Sequence, residues 1–144
     1  MLRDTPVKEI MVTKIVSVHV GNSMNDVEQK LRTNHIRHLP VIDDEGKLVG
    51  IITERDLFRA VSPHETEEGF RYDESQLEGL LLEHFMSRKP IVLRPNSPIA
   101  DAVNVMATLK YGCIPIVSED GKLVGIITQI DVLRFINRWF NSNN

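Results

Sequence analysis

Gly46-Lys47-Leu48-Val49-Gly50-Ile51-Ile52-Thr53 returns unchanged 75 residues later as Gly121-Lys122-Leu123-Val124-Gly125-Ile126-Ile127-Thr128. The same offset aligns Met11 with Met86, Asp26 with Asp101, Pro40 with Pro115, Asp56 with Asp131 and Arg59 with Arg134. Eight identical residues within a gapless alignment of about fifty positions identify a duplication. The chain is one unit written twice.

Working outward from that string, each copy predicts the same elements. Ile15 to Val20 alternates Val16, Val18 and Val20 with Ser17 and His19, the period of a strand with one buried face. Asn22 or Ser23 then offers a helix N-cap, and Met24, Val27 and Leu31 form one apolar stripe. In the second copy Ser97 is the expected cap and Pro98 the first helical residue, with Ile99, Ala102, Val103 and Met106 as the stripe. Leu39 to Ile42 and Leu48 to Thr53 flank a polar stretch with Gly46 near its end, which signals a hairpin. A second helix follows, carrying Leu57, Phe58 and Val61 in copy one and Val132, Leu133 and Ile136 in copy two. The fold class is mixed α/β (α+β), as tandem β-α-β-β-α units. Three strands and two short helices enclose a thin core, so the two units are expected to pack as a pseudo-two-fold pair.

The expected organisation is a first repeat over 1–62, an acidic connector over 63–78, a second repeat over 79–137 and a C-terminal tail over 138–144. The connector carries Glu65, Glu67, Glu68, Asp73, Glu74 and Glu78, which suits a solvated, mobile link. Phe70 and Tyr72 within it could instead cover a neighbouring unit.

The bulk numbers narrow the function. With 42% hydrophobic and 26% charged residues in 144, the chain is an ordinary globular one. A net charge of −3 lacks the basic excess that displaces counterions from a polynucleotide, so no nucleic-acid partner is expected. Cys113 is the single cysteine, which rules out an intrachain disulfide and zinc sites built on paired cysteines. The charged start, Met1 to Met11, has no apolar core of a signal, and no apolar run is long enough to cross a bilayer. The expected setting is the cytoplasm.

Chemistry concentrates where the repeated string runs into the second helix: Gly50-Ile51-Ile52-Thr53-Glu54-Arg55-Asp56 and Gly125-Ile126-Ile127-Thr128-Gln129-Ile130-Asp131. Thr and Asp three apart at a helix start cap the first turn and place an acid at the positive end of the dipole. The same geometry could serve a ligand: free N–H groups and a hydroxyl attract phosphate, and a carboxylate accepts from ribose hydroxyls. The two roles are compatible.

The duplicated unit, the strand openings Leu39-Pro40-Val41 and Ile114-Pro115-Ile116, and the two G-h-h-T-x-x-D junctions resemble a cystathionine β-synthase (CBS) domain pair, or Bateman module. The resemblance runs from about Pro6 to Ile136. It implies that adenosine-carrying ligands bind in two clefts between the repeats. Asp holds the ribose, and Thr lies near the phosphate. Carried over, this names Thr53 and Asp56 in one cleft and Thr128 and Asp131 in the other. It also implies that each cleft borrows the residues preceding the Leu-Pro strand of the opposite copy, Arg37 and His38 or Gly112 and Cys113. The cleft with Thr128, Asp131, Arg37 and His38 would then hold a guanidinium and an imidazole for phosphate. The other would rely on Arg55, Lys110 or Lys89. Tighter binding of a phosphorylated nucleotide is expected in the Arg37 cleft.

The resemblance further implies a homodimer formed through helix faces, with Phe135, Ile136, Trp139 and Phe140 as candidates beside the motif helices, and a regulated protein partner. The expected ligand is AMP, ADP or ATP, with NAD or S-adenosylmethionine in the same class. No resident cofactor, catalytic residue or metal is expected. His35 and His38, read as sharing a helical face, lack a third ligand. No phosphate loop, H-E-x-x-H pair or nucleophile–base–oxyanion set is present. The alternative is a dimerising scaffold in which the Thr and Asp residues serve only as caps.

Overall fold

The computed structural model describes residues 2–143. The chain divides into two units, Val16–Pro90 and Met1–Ile15 with Ile91–Asn144. The packing boundaries therefore differ from the repeat boundaries: the residues leading into copy one belong with the strands of copy two, and Leu82 and Met86 belong to the core of Val16–Pro90.

The unit Val16–Pro90 runs β1 (Val18–His19), α1 (Met24–Asn34), β2 (His38–Ile42), β3 (Leu48–Thr53), α2 (Glu54–Ala60), β4 (His64–Thr66), β5 (Gly69–Arg71), α3 (Glu74–Glu78) and β6 (Ser87–Arg88). Its main sheet has the order β1-β2-β3-β6, parallel at β1–β2 and antiparallel elsewhere. In the hairpin, His38 stands opposite Thr53 and Leu39 opposite Ile52. Gly46 turns it at φ 79°, a left-handed conformation in which a Cβ would be strained. Asp43 accepts the N–H groups of Glu45 and Lys47 there.

Ser23, not Asn22, caps α1, and Met24, Val27 and Leu31 are buried as the stripe predicts. Leu39, Val41, Ile52, Leu77 and Leu82 complete the core. Full burial of each such side chain contributes about 1.5–3 kcal/mol, which makes this cluster the anchor of the unit. The strand expected over Ile15 to Val20 shrinks to two residues, because only Val18 and His19 find partners on β2.

The acidic connector is structured. β4 and β5 pair as a hairpin, and α3 buries Leu77. Tyr72 packs partly on the core, whereas Phe70 is exposed.

The other unit contains α4 (Ile99–Leu109), β7 (Cys113–Val117), β8 (Leu123–Thr128) and α5 (Gln129–Ser142). β7 and β8 repeat the first hairpin's register, with Cys113 opposite Thr128 and Ile114 opposite Ile127. The flanking strands are reduced to single bridges, Leu93–Ile116 and Val12–Ile126. Pro98 itself is the N-cap of α4, and the helix starts one residue later than expected. Ser97 is not the cap; its hydroxyl accepts the N–H of Arg94 and closes the preceding turn. Val103, expected in the stripe, is exposed, while Ile99, Ala102 and Met106 are buried. The expected tail is helical, because α5 continues to Ser142. Ile136 packs partly on this unit's core, which leaves Trp139 and Phe140 as the exposed aromatic end of the helix.

Candidate functional site: two capped strand-to-helix junctions

The duplicated string folds the same way in both units. At the first junction Thr53 donates its N–H to Asp56 Oδ2 at 2.9 Å and its hydroxyl to the same oxygen at 3.1 Å, and Asp56 returns its N–H to Thr53 Oγ1 at 3.3 Å. At the second, Thr128 gives the corresponding bonds to Asp131 Oδ2 at 2.8 and 2.9 Å, with a return bond of 3.4 Å. Both are complete capping boxes. In each, only Oδ2 is hydrogen-bonded among the described residues, and Oδ1 is left without a partner among them. All four side chains are half-buried.

A third box, Ser23 with Asp26, has the same geometry at 3.0, 3.3 and 3.3 Å but lies outside the duplicated junction string. A box thus also forms at a helix start that is no part of the junction, and the box is no ligand signature by itself.

Hairpin register decides what surrounds each junction. Glu54 donates its N–H to the carbonyl of Arg37 at 2.9 Å, and Gln129 to that of Gly112 at 3.2 Å. Arg37 and His38 thus lie beside Thr53 of their own copy, and Gly112 and Cys113 beside Thr128 of theirs. Arg37 Nε stands 3.8 Å from Glu54 Oε2, both side chains being largely exposed. Arg55 is exposed on α2.

The imidazole of His38 is held below its ordinary value of 6.5, chiefly by burial and then by the neighbouring Arg37, while Glu54 opposes both. It is therefore neutral near pH 7 and can offer phosphate a hydrogen bond rather than a charge. Because the folded value is depressed, this stabilisation is complete above 6.5 and is lost as pH falls through the lower folded value. Chemical denaturation between pH 7.5 and 5.5 (a range of about two units around the ordinary histidine value) should show stability falling toward acid. His38→Gln should flatten that slope; an unchanged slope contradicts the assignment.

Cys113 is 4% exposed, and its thiol is pushed up to about 12 by burial and then by Asp131. It is a core residue at neutral pH, not a nucleophile. His35 and His38 share no helix face: His35 closes α1 in a left-handed conformation and His38 opens β2. No group of three potential metal ligands occurs among the described residues. Nor is any helix among them long and apolar enough to cross a membrane.

Two residues near the first junction are not among the expected ligand-binding residues. Glu54 occupies a variable position of the motif, yet it faces Arg37. Tyr72, from the connector, has its hydroxyl raised by burial and then by the charges of Glu54 and Glu28. An apolar hollow lined by Leu2, Arg3, Val103, Asn104 and Ile136, among others, contains none of the junction residues.

Comparison with known proteins agrees with this architecture. A family model described as the CBS domain matches residues 7–63 and again 82–138. A CBS domain-containing protein of Dictyostelium discoideum is 32% identical over 131 residues, covering 88% of each chain. Among solved structures, CBSX2 in complex with AMP gives a TM-score of 0.78 at 27% identity, covering 92% of this chain and 96% of that one. The CBS domain pair of protein MJ0100, in complex with 5′-methylthioadenosine and S-adenosyl-L-methionine, gives 0.75 at 27% identity over 92% and 96%. Other relatives are longer: the chain spans a quarter of the homoserine O-acetyltransferases that it matches.

Proposed function

This chain belongs to the CBS domain family, and we propose that it is a regulatory module that binds an adenosine-containing ligand at the two Thr–Asp junctions. AMP, ADP and ATP lead the class, which also includes NAD and S-adenosylmethionine. The observation that carries the reading is that the duplicated Gly-h-h-Thr-x-x-Asp junction folds identically in both units, with Asp56 and Asp131 each keeping one carboxylate oxygen without a hydrogen bond among the described residues. Ribose presents two adjacent hydroxyls, and a carboxylate is an acceptor-only group suited to both. The adenosyl ligands in the similar structures support the choice of class.

On this reading Thr53 and Thr128 lie toward the phosphate end, with Arg37, His38 and Arg55 as the polar contributors and Gly112 and Cys113 as uncharged walls. The module performs no catalysis and requires no metal or resident cofactor. Ligand binding reaches a regulated partner, or a homodimer interface on the exposed Leu133, Trp139 and Phe140 of α5, only if the ligand prefers one state of that contact.

A ligand that binds only the native chain must raise its melting temperature. At a hundredfold excess over Kd the stabilisation is about 2.7 kcal/mol, some 8 °C for a chain of this size. A thermal-shift series with AMP, ADP, ATP, NAD and S-adenosylmethionine should yield such a shift for at least one. No shift with any of them would leave the dimerising scaffold as the function.

A further inference from the structure

The two junctions share a backbone and differ in charge. The bond from Glu54 N–H to Arg37 carbonyl recurs as the bond from Gln129 N–H to Gly112 carbonyl, so the same two positions face each other in both units. In the first they hold a carboxylate and a guanidinium 3.8 Å apart; in the second they hold a neutral amide and no side chain. We propose that Glu54 is a specificity-determining residue that occupies Arg37 in the unliganded chain and must be displaced by the phosphate of a nucleotide. The inference rests on the adenosine-binding reading above.

The argument is one of competition for a single guanidinium. At 3.8 Å, with the side chains of Arg37 and Glu54 83% and 63% exposed, the pair is loose and solvated. Such pairs are weak. Phosphate offers a bidentate, charge-assisted contact at shorter range, so it can take Arg37 from Glu54. The displaced carboxylate remains on α2, one residue from Thr53, and its charge still opposes the incoming anion. A ligand without phosphate meets neither obstacle. Glu54 thus lowers affinity for nucleotides relative to nucleosides.

Calorimetric titration of the full chain with AMP and with adenosine tests this. Glu54→Gln, which installs the second copy's residue, should tighten AMP about 2- to 5-fold at low salt and leave adenosine unchanged. The gain should shrink at high salt, where exposed charges are screened. In an Arg37→Ala background Glu54→Gln should no longer give that full gain. An unchanged AMP-to-adenosine ratio in Glu54→Gln, or an equal gain without Arg37, overturns the role of the pair while leaving ligand binding intact. Absence of binding by either ligand to the wild-type chain overturns the adenosine reading and this inference together.

Discussion

Gly50→Ala should destabilise the chain by about 2–3 kcal/mol, whereas the equivalent Gly125→Ala should cost only about 1 kcal/mol. Both glycines are buried in the duplicated strand, and both lie beneath a methionine from a lead-in segment. A Cβ at Gly50 would stand 2.7 Å from the carbonyl oxygen of Ser87 and 2.8 Å from Met86 Sδ. The carbonyl belongs to β6, which pairs with β3 at Gly50–Arg88 and Ile51–Ser87, so relief requires moving a strand. A Cβ at Gly125 would meet only the Met11 side chain, a flexible thioether that can rotate away. At about 3 °C per kcal/mol, the melting temperature should fall about 6–9 °C for Gly50→Ala and about 3 °C for Gly125→Ala. Met11→Ala should relieve the Gly125→Ala strain, while Met86→Ala should not rescue Gly50→Ala. Equal losses, or rescue by Met86→Ala, would contradict the packing.

That asymmetry marks how far the fold was legible in the sequence. The hairpins and the caps at Thr53 and Thr128 depend on neighbours within a few residues, and a local pattern carries them. The assignment of lead-in segments does not. Met11 meets a glycine in the string Gly-Lys-Leu-Val-Gly-Ile-Ile-Thr, and that string occurs twice, so residue pattern cannot choose between Gly50 and Gly125. Tertiary packing chooses, and it takes Gly125 for Met11 and Gly50 for Met86. The connector misled for a different reason: its acids are on exposed positions, but Leu77 and Tyr72 among them reach a core that composition does not reveal. The Thr–Asp boxes were readable because they are local, three residues apart. The Arg37–Glu54 pair was not, because only hairpin register brings residues 17 positions apart together.

The third capping box turns this distinction into the decisive experiment on function. Asp26→Ala, Asp56→Ala and Asp131→Ala each remove the acceptor of an N-cap N–H and hydroxyl, so each should cost about 1 kcal/mol of stability. If the boxes were only caps, all three variants would behave alike toward ligand. On the proposed function they separate. Loss of hydrogen bonds to a charged acceptor is worth about 1.5–3 kcal/mol, so a junction variant should bind its adenosine ligand about 10- to 150-fold more weakly. Asp26→Ala should keep wild-type affinity. Between the junctions, the family resemblance pairs Arg37 and His38 with Thr128 and Asp131, which predicts the larger loss of AMP affinity in Asp131→Ala. A larger loss in Asp56→Ala would reassign the basic residues to the junction of their own copy, where hairpin register already sets them beside Thr53. Equal affinity in all three variants would reduce Asp56 and Asp131 to the role that Asp26 performs, closing the first turn of a helix.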